Sequence, residues 1–265
     1  GRWSIAAMRS EPPVREPVAA VDPSRHPEIA CDDAIVLLVL GQSNAASHAT
    51  PGDPVPVVVS RDGRCVRAAD PLPGTTGGGG SVWTALDAQL HGRWPAQRFV
   101  WAPHAVGATA IAEWTEERAP VREALQAQLD ALRGAGLRVE AVLWQQGEAD
   151  MLAGTPALDY TNGLLRLRAI LDAGGVDAPM LVARSTRCFV AGPGAIARRL
   201  DRDRPRLAAA RILDGPDTDA IGDTLRRDRC HFDTAGREHA AAMWAEVLAP
   251  MLEPRAGPPV RAASR

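Results

Sequence analysis

The sequence predicts an α/β protein built on a parallel sheet with helices packed against both of its sides. Three observations carry that prediction. The run Ala34-Ile35-Val36-Leu37-Leu38-Val39-Leu40, closed by Gly41, is continuously apolar and rich in β-branched residues, so it reads as a strand buried on both faces. Strand-like and helix-like segments then alternate along the chain, the pattern of repeated β-α units. Finally, polar motifs come shortly after several of the predicted strands, and the carboxyl ends of parallel strands are where such sheets hold ligands.

The elements follow in order. Residues 1–32, with Pro12, Pro13, Pro17, Pro23 and Pro27, read as an extended arm or linker, and the tail 253–265, with Pro254, Pro258 and Pro259, reads likewise. Between them a single catalytic domain is expected over 33–252, a length able to bury a substantial core. After the first strand comes an irregular stretch to about Gly80, then a helix over Val82 to His91 and a strand over Arg98 to Ala102. A helix over Pro120 to Gly134 leads to the strand Val139 to Leu143, ending near Gln145. Next come a helix over Ala157 to Ala173, the strand Met180 to Ala183, a helix over Ala195 to Ala210, a short strand near Ile212 and a last helix from about Thr234 to Leu252. This makes five strands. The sequence has no internal repeat, and its strongest apolar stretch stops at Leu40, short of a membrane span.

Chemistry is concentrated in four places. Gly41-Gln42-Ser43-Asn44 delivers a serine onto a tight turn at the end of the buried strand, which makes Ser43 the candidate nucleophile. An alcohol needs a base, and Asp228-Arg229-Cys230-His231-Phe232 offers an imidazole with a carboxylate three residues before it, in the chain order Ser, Asp, His. Attack on an ester builds an oxyanion, for which the N–H of Ser43, an N–H from the Gly107-Ala108 turn and the side-chain amide of Gln146 are the expected donors. Glycine-rich Gly74 to Gly80 lacks a following lysine and any phosphate-loop spacing. It reads as a mobile loop beside the pocket, with Ser81 as the N-cap of the next helix and a minor rival nucleophile.

Taken together, Gly41-Gln42-Ser43-Asn44, the segment Gly107 to Trp114, Gln145-Gln146-Gly147-Glu148-Ala149-Asp150 and Asp228 to His231 resemble the SGNH hydrolase superfamily. Within it they are similar to the sialate O-acetylesterase-type carbohydrate esterases. The resemblance covers about residues 33 to 250 and implies a three-layer α/β/α fold with a flavodoxin-like five-stranded parallel sheet. It implies Ser43 as nucleophile, His231 as base, Asp228 as its orienter, and Ser43, Gly107 and Gln146 as oxyanion-hole donors. Glu148 is a rival to Asp228, or a support for it, and Gln42, Trp114 and Gln145 fall on the substrate side. This sequence departs from the family pattern in carrying Ala108 where a second glycine is common and Gln145 where histidine is common.

Composition narrows the partners. A formal charge of −2 gives no reason to expect nucleic acid, and all the basic residues are arginine, which removes Schiff-base and phosphate-loop lysines. No cofactor and no metal are expected: the histidines lack ligand spacing, and Asp214, Asp217, Asp219 and Asp223 do not follow the EF-hand pattern. They read as a turn ahead of the His231 loop, and His104 reads as structural. Of the seven tryptophans, Trp83, Trp114 and Trp144 adjoin the motif loops; core packing is expected for all but Trp114, which is placed against the sugar beside Glu113. Among three possible pairings the four cysteines favour Cys31 with Cys65 and Cys188 with Cys230. Such bonds point to an extracellular or periplasmic protein, although Gly1-Arg2-Trp3-Ser4 carries no legible secretory signal, as in a chain that begins after cleavage or was trimmed.

The function expected is therefore a serine esterase that hydrolyses O-acetyl esters on carbohydrates through an acetyl-enzyme. The alternatives are an O-acetyltransferase acting on glycan hydroxyls and a carbohydrate-binding domain without catalysis.

Overall fold

Fourteen regular elements are built over the residues that the computed structural model describes, 15–189 and 194–256. They are β1 (Ile35–Gly41), β2 (Val57–Arg61), β3 (Arg64–Ala68), α1 (Val82–Arg93), β4 (Phe99–Ala105), α2 (Ile111–Thr115), α3 (Pro120–Gly134), β5 (Val139–Gln145), α4 (Glu148–Ala153), α5 (Ala157–Ala173), β6 (Met180–Arg184), α6 (Ala195–Ala209), β7 (Ile212–Asp217) and α7 (Thr234–Ala256). Short 3-10 turns lie at Ser43–Ala45, Thr218–Ala220 and Asp223–Leu225. The assignments made for residues 1–14 and 257–265 lie outside the described residues.

One sheet runs in the order β3-β2-β4-β1-β5-β6-β7, so the expectation of five strands is corrected to seven. Its parallel core, β4-β1-β5-β6-β7, keeps the expected flavodoxin-like order. The two extra strands form an antiparallel hairpin whose first strand joins the edge at β4. They arise in the stretch read as irregular. Val57-Val58-Val59 favours an extended chain, and Asp62-Gly63, both at positive φ, makes the two-residue turn whose twist suits a hairpin.

Every residue of β1 is buried, and the pleat sends alternate side chains into two different cores. Ile35, Leu37 and Val39 pack with Trp83 and Leu86 of α1, Trp101 of β4, and Trp244 and Leu248 of α7. Val36, Leu38 and Leu40 face Leu125 and Leu129 of α3, Leu164 and Leu167 of α5, and Leu200 of α6. Helices thus cover both sides, which is why the strand needs no polar face.

The chain before β1 lies along the hairpin edge. Ile29 N–H donates to Cys65 O at 2.9 Å, Arg67 N–H to Pro27 O at 3.0 Å, and Ala19 N–H to Thr75 O at 2.8 Å. The Cys31–Cys65 disulfide fastens the same contact. The Gly74 to Gly80 segment, expected to be mobile, is hydrogen-bonded along its length: Gly79 N–H reaches Ser47 O at 2.7 Å, and Gly80 N–H reaches Ala49 O at 2.9 Å. A Cβ on Gly77 would fall 2.4 Å from Ser47 O, so the glycines serve close backbone approach. Ser81 is buried and caps α1, accepting from Thr84 N.

Gly41 ends β1 at φ +143°, where an added Cβ would stand 2.1 Å from Gln145 O of the neighbouring strand. Gly41→Ala is therefore expected to destabilise the fold by at least about 1–3 kcal/mol from the backbone alone, read as a lowered unfolding temperature.

Candidate active site

The carboxyl ends of β1, β4 and β5 sit at the point where the strand order reverses, and a cleft of about 520 Å3 opens there. Gln42 and Ser43 line it from the turn after β1, Gly107 and Ala108 from the turn after β4, and Cys230 and His231 from the loop before α7. Two positions nearly the whole domain apart are thus on one cavity wall. Among the described residues no hydrogen bond joins the Ser43 hydroxyl to the imidazole; such contacts commonly tighten only with substrate present.

Local backbone fixes His231. Asp228 Oδ1 accepts from the N–H of Cys230 at 3.0 Å and of His231 at 2.7 Å, folding the loop into a tight turn, with Arg229 in the left-handed region at φ +65°. Asp228 Oδ2 then meets His231 Nδ1 at 2.7 Å. Burial pushes the Asp228 carboxyl up, but the hydrogen bonds from His231 outweigh it and hold the group below its ordinary value. With Nδ1–H donated to a carboxylate, Nε2 is left as the proton acceptor.

Glu148 is not a partner of His231. Its Oε1 accepts from Asn44 Nδ2 at 2.7 Å and from Ser185 Oγ at 2.8 Å, and Asn44 Nδ2 also donates to Cys230 O at 3.2 Å. The carboxyl is fully buried, and burial pushes it up to about 7 against the pull of those hydrogen bonds.

Several expected contacts are corrected. Gln146 is 0% exposed and gives its Nε2 to Thr109 O at 2.8 Å and Asp150 Oδ2 at 2.5 Å, so its amide braces the floor beneath the cleft instead of pointing into it. The Gly107 N–H is taken by Thr76 Oγ1 at 2.8 Å. Ala108, at φ +57°, lines the cleft with an N–H that has no partner among the described residues, and the same holds for Ser43 N–H. Trp114 is 0% exposed and donates to Thr109 Oγ1 at 3.0 Å, packed edge-on against Trp144. Gln145 is buried on the α7 side, accepting from Trp244 Nε1 at 2.9 Å. Neither reaches the cleft, whereas Gln42 does, with Oε1 accepting from Ala149 N at 3.0 Å. Glu113 pairs with Arg15 and accepts from Ala110 N.

Four residues escaped the sequence reading. His48 lies parallel to His231 with ring centroids 5.4 Å apart, and its Nε2 is 3.0 Å from Thr76 Oγ1. Burial and the neighbouring His231 push its pKa below the ordinary value, with Glu16 opposing. Arg226, buried and stacked on Phe232, gives its guanidinium to Cys230 O, Ile221 O and Thr218 O and so carries the His231 loop. Arg15 and Glu16 bring the N-terminal arm to the cleft. None of the four belongs to the motif segments; they are single residues in loops with no periodicity.

Both expected disulfides are present, and Cys188–Cys230 ties the segment after β6 to the residue preceding His231. Asp219 clamps that segment, accepting from Thr186 N at 2.7 Å and Arg187 N at 2.8 Å, while Asp223 pairs with Arg187 and Arg229. No cluster of metal-ligating side chains occurs among the described residues. His104 is buried, its pKa pushed down to about 4 by burial, and Nε2 bonds Val121 O.

The fold is that of the SGNH hydrolases. Similar solved structures include a protein from Arabidopsis thaliana at 21% identity and TM-score 0.61, spanning 82% of this chain and 98% of that one. A carbohydrate acetylesterase from Xanthomonas citri is similar at 15% identity and TM-score 0.53, over 82% of this chain and 56% of that one. A variant of an acetyl-xylooligosaccharide esterase from Geobacillus is similar at 14% identity and TM-score 0.51, over 89% of this chain and all of that one (100%). At such identities the likeness is one of fold. Residues 97–249, more than half of the chain, match the family model described as carbohydrate esterase, sialic acid-specific acetylesterase. The chain belongs to that family and is a carboxylic ester hydrolase. No curated protein matches the sequence.

Glu148 makes stability depend on pH. A carboxyl raised from 4.5 to about 7 holds its proton in the folded state where the unfolded chain has released it, so stability falls as pH rises between those values and is level above them. Glu148→Gln keeps an acceptor for Asn44 and Ser185 without a charge. Relative to this variant, the native protein is expected to lose a few kcal/mol between about pH 4.5 and 7, at about 1.4 kcal/mol per pH unit, measured by denaturant unfolding at both ends.

Proposed function

We propose that the protein removes acetyl groups from carbohydrate hydroxyls through Ser43, His231 and Asp228. The observation that carries this reading is the 2.7 Å contact between Asp228 Oδ2 and His231 Nδ1, made by an imidazole that shares one cleft with Ser43. In the first step His231 Nε2 takes the Ser43 proton as Oγ attacks the ester carbonyl. The resulting oxyanion is held by the N–H groups of Ser43 and Ala108, cleft amides without a partner among the described residues. When the tetrahedral species collapses, the sugar oxygen leaves with the proton from His231 and an acetyl-enzyme remains. Water, deprotonated by His231, attacks the acetyl carbonyl; acetate departs and Ser43 recovers its proton. Asp228 orients the ring and stabilises the imidazolium throughout.

His48 suits this scheme because burial and His231 lower its pKa and so favour the neutral ring, whereas a charge stacked on His231 would oppose the imidazolium that each step requires. The two disulfides and the family also support an extracellular or periplasmic site of action, where such bonds persist.

Acetate release from acetylated xylans, sialic acids and bacterial exopolysaccharides tests the reading. Ser43→Ala and His231→Ala are each expected to lose at least about 10³-fold in kcat, and Asp228→Asn on the order of 10²–10⁴-fold, with unfolding temperatures near the native value. Undiminished turnover in Ser43→Ala would sink the assignment.

A further inference from the structure

Phe189 stands at the mouth of the cleft in a manner that folding alone does not explain. It is 54% exposed, and its backbone lies at φ +62°, a left-handed region costly for an aromatic residue. Both features work against stability. Yet the backbone around it is fastened from several directions. Cys188 is bonded to Cys230, Phe189 N–H donates to Arg229 O at 3.2 Å, and Arg229 Nη2 donates back to Phe189 O at 3.0 Å. Asp219 holds the two residues before Cys188, and Arg187 and Arg229 share Asp223. The backbone of Phe189 is therefore fastened to the loop that carries His231, and its apolar ring is exposed at the cleft. Leu152, at the end of α4 and 53% exposed, lines the same cleft.

We propose that Phe189, with Leu152 on the wall of the same cleft, is the platform on which the pyranose ring bearing the acetyl group rests. This rests on the carbohydrate reading above and specifies how the sugar is recognised. Sugar rings present patches of C–H to an aromatic face, and a phenyl ring offers that face with no polar group of its own, so it selects ring shape without dictating which hydroxyl is esterified. Polar recognition falls to other cleft residues, Arg15, Glu16 and Arg227. A cleft of about 520 Å3 exceeds what an acetyl group fills, leaving room for the ring of the leaving alcohol. Fixing the backbone beforehand spares the entropy of ordering that segment on binding.

The test compares acetate release from O-acetylated sialic acid and an O-acetylated methyl xyloside with release from ethyl acetate, which has no ring. The ratio of kcat/KM for the better sugar ester to that for ethyl acetate is expected to fall about two- to tenfold in Phe189→Ala, chiefly through KM, and to recover in Phe189→Trp. Phe189→Leu, which keeps apolar bulk without a flat face, is expected to resemble Phe189→Ala and serves where the smaller residue impairs folding. An unchanged ratio in an enzyme that turns over both substrates overturns the platform alone, as does an equal loss on both substrates. Turnover of ethyl acetate with no sugar ester consumed overturns the carbohydrate reading as well.

Discussion

One side-chain amide holds the cleft together. Asn44 Nδ2 donates at once to Glu148 Oε1 and to Cys230 O, so the turn after β1, the start of α4 and the loop carrying His231 meet at a single nitrogen. Ser185, just past β6, donates to the same carboxylate oxygen. The nucleophile candidate and its base come from segments far apart in the chain, and nothing in their own neighbourhoods would bring them to one wall. That convergence is enforced from below, in a buried junction where each donor is committed and the loss of one leaves a desolvated polar atom. Glu148 is costly there, since burial raises its pKa to about 7. A buried apolar residue would be cheaper, but it could not fix the direction of Asn44 and Ser185 together.

The tryptophans do comparable work one layer down. Trp83 gives its N–H to Ala45 O at 2.6 Å, bracing the turn after Ser43. Trp114 reaches Thr109, and Trp144 reaches the Tyr160 hydroxyl, which donates to Gln146 O at 2.7 Å. Trp244 holds Gln145. A large buried indole brings both apolar area and one N–H that must find an acceptor. Here those acceptors lie in or beside the loops that form the cleft floor, so hydrophobic packing and loop geometry are set by the same side chains.

Much of the architecture was legible because it is written in periodicity. The run ending at Leu40 could only be a strand buried on both sides, and α3 and α5 have the limits that their apolar patterns predict. The β2–β3 hairpin was not foreseen although Asp62-Gly63 signals it: the pair is short, and it is flanked by Pro51, Pro54 and Pro56 on one side and by glycines on the other. At the site, motif membership did not reveal direction. Gln145 belongs to a conspicuous polar run, yet it is the last residue of β5, and the pleat turns it toward Trp244 and α7. Trp114 sits in a five-residue helix whose inner face is the sheet. Position in a motif says that a residue is near the chemistry; only the face of its element says whether it touches it.

The same distinction applies to the amides of the turn after β4. Thr76 Oγ1 accepts Gly107 N–H and also contacts His48 Nε2, so one hydroxyl joins the turn after β4 to the ring beside His231. With Gly107 thus occupied, the amide turned loose is the next one, and Ala108 occupies a left-handed conformation that a glycine would adopt without cost. An alanine there accepts strain of the order of 1 kcal/mol and restricts the conformations open to the turn before folding. The departure from a glycine pair therefore costs backbone ease at an amide on the cleft wall that no described residue satisfies.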